Sequence, residues 1–270
     1  MKLIIANWKM NPATLAEAVR LARTSDRTNV VIAAPYPYLT AVKRIVRRAT
    51  LAAQDVSAVD APTGAHTGEV SAAMLRALGV RYVLIGHSER RMATRLRPAL
   101  RDSGEARGET NATVAAKVRA ALAAGIMPIL CVGEPWSVRR KGLAAAHAFV
   151  KHQLSAAFHG LPSSVVGRRS LVIAYEPIWA ISTSKDHRDP STGLRVNETP
   201  EDAARMAQFI TQQLTTYNQQ RTPRILYGGS VNSKNAASFL VCPEFAGVLV
   251  GGASLKPAEF RKIITAAEKA

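Results

Sequence analysis

Short runs of aliphatic and β-branched residues alternate with Ala-rich amphipathic stretches along the whole chain, with no linker between them. The apolar runs predict strands at 3–6, 30–33, 50–53, 82–85, 126–131, 171–174, 224–226 and 247–250. Most are continuous rather than alternating, as strands buried on both faces must be. The intervening stretches predict helices near 13–24, 36–48, 71–78, 111–124, 137–158, 200–218, 233–240 and 257–269. Thr199-Pro200-Glu201-Asp202 opens one of these with a capping Thr, Pro in the first turn and acids near the positive end of the helix dipole. Strand followed by helix, repeated, is the pattern of a parallel α/β sheet with crossover helices. Eight such units in 270 residues predict a closed (β/α)8 barrel, a single domain over 1–270, rather than an open doubly wound sheet. No G-x-G-x-x-G follows the first strand and no G-x-x-x-x-G-K-[ST] occurs, which counts against a nucleotide-binding fold.

Composition narrows this further. With 47% hydrophobic residues the chain buries a core without staples. Its two cysteines, Cys131 and Cys242, lack C-x-x-C spacing, so a disulfide scaffold is excluded and a reducing compartment is expected. The apolar run at the start is too short for a signal peptide, and no stretch approaches the roughly 18 apolar residues of a membrane span. A cytoplasmic protein with no membrane partner is expected. The net charge of +17 is the unusual number and permits anionic partners. Its arginines are spread along the chain, as for solvated helix faces, so no specific nucleic-acid contact is predicted. The local excess, six arginines against Asp102 and Glu105 between 90 and 107, is where a polyanion contact would be sought first.

In a parallel barrel, chemistry sits where strands end. The first strand ends in Asn7-Trp8-Lys9, the third in Gln54, the fourth in Gly86-His87-Ser88-Glu89 and the sixth in Tyr175-Glu176-Pro177. The last two end in Gly228-Gly229-Ser230 and Gly251-Gly252, each followed by a small residue. Glycine-rich turns let backbone N–H groups close on phosphate oxygens. One carboxylate (Glu176), one imidazole (His87) and one ammonium (Lys9) beside two such turns suit proton abstraction next to a carbonyl of a phosphorylated substrate. His87, at the start of a short helix, would stay neutral and polarise a carbonyl, while Lys9 would stabilise an enediolate oxygen. The histidines at 66, 147, 152, 159 and 187 lack metal-ligand spacing and read as surface or loop residues; neither metal nor cofactor is expected.

Asn7-Trp8-Lys9-Met10-Asn11, Ala53-Gln54-Asp55, Gly64-Ala65-His66-Thr67-Gly68-Glu69, Gly86-His87-Ser88-Glu89-Arg90-Arg91, Ala174-Tyr175-Glu176-Pro177-Ile178-Trp179-Ala180-Ile181, Tyr227-Gly228-Gly229-Ser230-Val231 and Leu249-Val250-Gly251-Gly252-Ala253-Ser254-Leu255 together resemble the triosephosphate isomerase family, in order and over nearly the whole chain. The resemblance implies a (β/α)8 TIM barrel that interconverts glyceraldehyde 3-phosphate and dihydroxyacetone phosphate in glycolysis and gluconeogenesis. It implies Glu176 as base and His87 as neutral electrophile, a pairing for which this family is itself the best-known instance. It further implies Lys9, Asn7 and Glu89 around the substrate oxygens, and Ser182, Ser230, Gly251 and Gly252 as phosphate contacts. A homodimer is implied too, with Thr67 the residue that reaches the neighbour's site.

Two departures stand out. The family's lid motif A-I-G-T-G-K is Ala180-Ile181-Ser182-Thr183-Ser184-Lys185 here, with Ser at both glycine positions. The connections at 92–107 and 186–198 are longer than the family's. They keep open an isomerase of a longer ketose phosphate, such as a tetrulose phosphate, or a non-catalytic anion-binding protein.

Overall fold

An apolar run buried on both faces can hydrogen-bond only to another such run, and the eight runs here satisfy one another in a ring. In the computed structural model, which describes residues 1–92, 108–161, 171–181, 198–216 and 224–270, the strands are β1 (Leu3–Asn7), β2 (Val30–Ala33), β3 (Thr50–Ala53), β4 (Tyr82–Ile85), β5 (Met127–Val132), β6 (Val172–Tyr175), β7 (Arg224–Tyr227) and β8 (Gly247–Val250). Each pairs in parallel with the next, and β1 returns to β8 with Leu3 opposite Gly247, so the barrel is closed and has no edge. The predicted single-domain (β/α)8 architecture is the one observed.

Successive side chains point to opposite faces, which splits the core into two layers. Ile5, Val31, Leu84, Ile129, Val172 and Leu226 fill the lumen, while Ile4, Ile32, Val83, Leu130 and Ile173 meet the surrounding helices. Full burial of side chains of this size is worth about 1.5–3 kcal/mol each. The helices are α1 (Leu15–Ser25), α2 (Leu39–Ile45), α3 (Ala72–Ala77), α4 (Ser88–Arg91), α5 (Asn111–Ala123), α6 (Trp136–Arg139), α7 (Leu143–Phe158), α8 (Pro200–Thr215), α9 (Ala236–Leu240) and α10 (Pro257–Lys269).

Differences from the predicted boundaries have local causes. Thr14 accepts the Glu17 N–H at 3.3 Å, so α1 starts at Leu15 rather than 13. The predicted helix 36–48 is a single 3-10 turn followed by α2, which stops at Ile45. Beyond it the Asp26 carboxylate takes the N–H groups of Arg47, Arg48 and Ala49 out of helical register. The predicted helix 137–158 is two helices, broken at Gly142, whose φ of +103° is glycine territory. The predicted 233–240 is helical only from Ala236, because Asn232 Oδ1 caps the N–H groups of Lys234 and Asn235 in a turn before it. Most of the long segments 92–107 and 186–198, and with them Arg95, Arg97, Arg101 and His187, lie outside the described residues. No helix of the described residues is long and apolar enough to cross a membrane.

Candidate active site

The site is built at the strand ends opposite the helix-to-strand turns. Just past β1, Lys9 has φ of +54°, the left-handed region that costs a non-glycine residue on the order of 1–2 kcal/mol. Its neighbours hold it there. Asn7 Oδ1 accepts the Lys9 N–H at 3.0 Å, and Gln54, at the end of β3, donates from Nε2 to the Lys9 carbonyl at 2.9 Å. The bend sends the ammonium back over the mouth, where it donates to Glu89 Oε1 at 2.6 Å.

β4 delivers His87, which caps the one-turn helix α4: its Nδ1 accepts the Glu89 N–H at 3.2 Å. A ring nitrogen that accepts carries no proton, which leaves Nε2 as the nitrogen that bears the ring hydrogen. Arg91 braces the turn from behind, donating from Nε to Gly86 O at 2.7 Å and from Nη1 to Asn111 Oδ1 at 2.8 Å. From β6, Glu176 projects to the same point and is 2% exposed. Its Oε2 accepts the Ser88 N–H at 3.1 Å; its Oε1, buried and without a hydrogen-bond partner, lies 3.4 Å from His87 Nε2. One carboxylate oxygen is thus anchored and the other is free to take a proton.

Two turns complete the mouth. A Cβ on Gly228 would lie 2.9 Å from the Cγ of Glu176, and one on Gly251 would lie 3.3 Å from the Cε of Lys9. At Gly228 the approach of Glu176 and of the Tyr175 carbonyl leaves no room for a Cβ, whereas at Gly251 the flexible end of Lys9 would have to give by only a few tenths of an ångström. Asn7, Lys9, His87, Glu176, Ser230, Gly251 and Gly252 all border one cavity of about 410 Å³. The Ser230 N–H is already committed to Ala180 O at 3.2 Å, whereas its hydroxyl is buried and unpartnered, so the hydroxyl is the group Ser230 has to offer. Ser182 lies outside the described residues. Thr67 sits in an exposed loop away from this cavity.

Several supporting residues escape sequence reasoning. Lys117, 5% exposed on α5, bonds Asp55 at 2.7 and 2.8 Å and Glu109 at 2.6 Å, while Arg90 pairs with the same two acids. Burial lifts the Asp55 carboxyl despite Lys117, whereas at Glu109 the bonds from Lys117 and Arg90 overcome the burial penalty and lower it. This knot of four charges ties β3, α4 and α5 behind His87. Below the start of the lid motif, buried Glu134 accepts Trp179 Nε1 at 2.9 Å and the Tyr175 hydroxyl at 3.2 Å, and burial raises its pKa. Glu198 is buried with neither oxygen partnered, and burial raises it to about 8. Burial, with the Glu176 carboxylate next, keeps the Cys131 thiol protonated and inert. His147 is no surface or loop residue: it lies within α7, its ring stacked on Phe209 at 4.0 Å. Lys117, Glu134 and His147 find their partners in other parts of the chain, which is why spacing gave no sign of them.

A family model described as triosephosphate isomerase matches residues 2–267. Among curated proteins, the triosephosphate isomerase of Delftia acidovorans is 41% identical, over 99% of this chain and 99% of that one. That of Paracidovorax citrulli is 43% identical over 98% of each chain, and that of Thermus thermophilus 41% over 97% of each.

Proposed function

The chain belongs to the triosephosphate isomerase family, and from that premise we propose how its own residues carry the family's reaction. The protein is an aldose–ketose isomerase that interconverts the triose phosphates glyceraldehyde 3-phosphate and dihydroxyacetone phosphate, a step of glycolysis. What supports the residue assignment is the 3.4 Å between the unpartnered Glu176 Oε1 and His87 Nε2, a separation one three-carbon substrate bridges.

Glu176 Oε1 removes the proton from the carbon next to the carbonyl, and the electron pair of that C–H bond moves to form the enediolate. His87 Nε2–H hydrogen-bonds the carbonyl oxygen and hands its proton over as charge develops, then recovers one from the neighbouring hydroxyl. Protonation of the other carbon by Glu176 completes the exchange, and no atom is gained or lost. The Lys9 ammonium faces the developing negative oxygen, with Asn7 holding its bend. The phosphate lies against the backbone of the Gly251-Gly252 turn and the Ser230 hydroxyl, which border the same cavity. Glu89 holds Lys9 and supplies the N–H that fixes the imidazole tautomer. Ser182 is assigned to the phosphate on the motif alone.

The second subunit has a natural berth. A cavity of about 670 Å³ opens beside Lys9, His87 and Glu89, rimmed by Met10 and Tyr36 and backed by the Asp55–Arg90–Glu109 charges. Met10 is 92% exposed. We assign this cavity to the partner subunit's Thr67 in a homodimer, and the enzyme to the cytoplasm where its pathway runs. Nothing among the described residues favours a longer ketose phosphate or a non-catalytic role. A coupled assay on dihydroxyacetone phosphate tests the assignment: Glu176→Asp and His87→Gln are expected to lose most turnover, and wild-type rates in both would overturn it.

A further inference from the structure

One group of cations lies away from the catalytic mouth. Between residues 18 and 53, and again between 70 and 88, the chain carries nine cations, Arg20, Arg23, Arg27, Lys43, Arg44, Arg47, Arg48, Arg76 and Arg81, and a single acid, Asp26. All but the half-buried Arg27 are exposed, and none forms an ion pair with a carboxylate among the described residues. Asp26 stays ionised, its pKa held down against burial by the backbone N–H groups of Arg47, Arg48 and Ala49 and by the charge of Arg48, and its single charge offsets only one of the nine.

The fold makes these residues one surface. Arg27, Arg47 with Arg48, and Arg81 lie just before β2, β3 and β4, three adjacent strands, so they line a continuous arc of the barrel's N-terminal rim. Arg23, Lys43 with Arg44, and Arg76 occupy the last turns of α1, α2 and α3 that lead into that arc. The Asp26 bonds fasten the end of α1 to the end of α2, and the Lys43 side chain lies over Gly79 at the end of α3. Cations at helix C-termini are individually favourable for the dipole. That accounts for one per helix and not for Arg47, Arg48 and Arg81 beyond the helices, nor for the lack of interspersed acids.

We propose that this face of the barrel base binds the phosphodiester backbone of nucleic acid without sequence specificity, independently of catalysis at the opposite rim. Eight of the nine cations are arginine, whose planar fork pairs phosphate bidentately where lysine offers a point charge. The peripheral binders of a membrane surface present a broad apolar face that these polar turns lack. Tyr82, which follows Arg81, is half-buried and packed against the lumen core rather than standing free for a base to stack on, so only the backbone is read.

The test is fluorescence anisotropy of a short labelled DNA duplex of arbitrary sequence across a salt series, with the whole enzyme. A dissociation constant of about 10⁻⁴–10⁻⁶ M near physiological salt is expected, with log affinity falling against log salt at a slope of roughly −4. Arg23→Glu/Arg44→Glu/Arg47→Glu/Arg48→Glu is expected to weaken binding at least tenfold and flatten that slope, with isomerase activity unchanged. The matched variant Arg119→Glu/Lys151→Glu/Arg261→Glu/Lys262→Glu, equal in net charge but elsewhere on the surface, is expected to bind within about twofold of wild type. Equal losses in both variants, no duplex binding at low salt, or binding to phosphatidylserine vesicles in place of the duplex would each overturn the proposal. Isomerase activity is read separately, so neither reading's failure is mistaken for the other's.

Discussion

Ser88 donates its backbone N–H to one oxygen of Glu176 at 3.1 Å and leaves the other oxygen without a partner beside His87. A carboxylate held by one oxygen keeps its direction, while the other oxygen stays turned toward His87. Shortening the side chain by one methylene withdraws that free oxygen by about 1 Å, a misplacement that costs on the order of 10²-fold in rate. Glu176→Asp is therefore expected to lower kcat by roughly that factor with KM nearly unchanged, since the phosphate contacts are untouched. A large rise in KM at constant kcat would show that Glu176 binds rather than reacts.

Gly228 tests the same carboxylate from its other side. The Cβ of Gly228→Ala would meet the Glu176 Cγ at 2.9 Å and the Tyr175 carbonyl at 3.2 Å. Something must yield, and the side chain is softer than the strand. The variant is expected to lose about 10- to 100-fold in kcat, and overpacking should cost about 1–3 kcal/mol of stability. Steady-state kinetics with a urea melt separate the two effects. Unchanged turnover would show that the base tolerates displacement.

Behind His87, Lys117 neutralises two buried carboxylates at once. Lys117→Met fills the same volume but leaves Asp55 and Glu109 with only Arg90 between them. Removing one partner from a buried ionic cluster costs about 3–5 kcal/mol, read as a lower urea midpoint at unchanged slope. A loss below about 1 kcal/mol would mean that solvent already screens the cluster.

How much of this the chain disclosed follows from distance along it. β2, β3, β4 and β8 have their predicted limits, with Asn29 before β2, Gln54 after β3 and Gly86 and Gly251 after β4 and β8 bounding the apolar runs. β5 and β6 run one residue later than predicted, since Ile126 and Leu171 are as apolar as the strands they precede. Gly142 carried a readable sign of the break between α6 and α7, as a glycine following Arg140 and Lys141. Lys9, His87 and Glu176 were legible because strand ends in a parallel barrel converge whatever lies between them. The separation of 62 positions between Asp55 and Lys117 hides their bond from any local pattern. The Ser230 N–H taken by Ala180 is likewise a product of folding, and it leaves the hydroxyl as the group that Ser230 offers to the cavity.

Glu198 carries the clearest pH signature. Burial lifts its carboxyl from 4.5 to about 8, Arg139 offsets this in part, and Glu134 and Asp202 add to it. Arg205 is the remaining cation acting on it. Between those two values the folded chain holds a proton that the unfolded chain has released. Stability therefore falls as pH rises through that window, and the full penalty is present above about 8. At about 1.4 kcal/mol per unit the penalty is a few kcal/mol, with roughly 5 as its ceiling. Glu198→Gln keeps the shape and removes the titration. Its melting temperature is expected to match wild type near pH 4.5 and to exceed it increasingly toward pH 9. Melting curves in a pH series decide the matter. Two parallel profiles would mean that the carboxylate finds water or a cation on ionising, and that its burial carries no electrostatic cost.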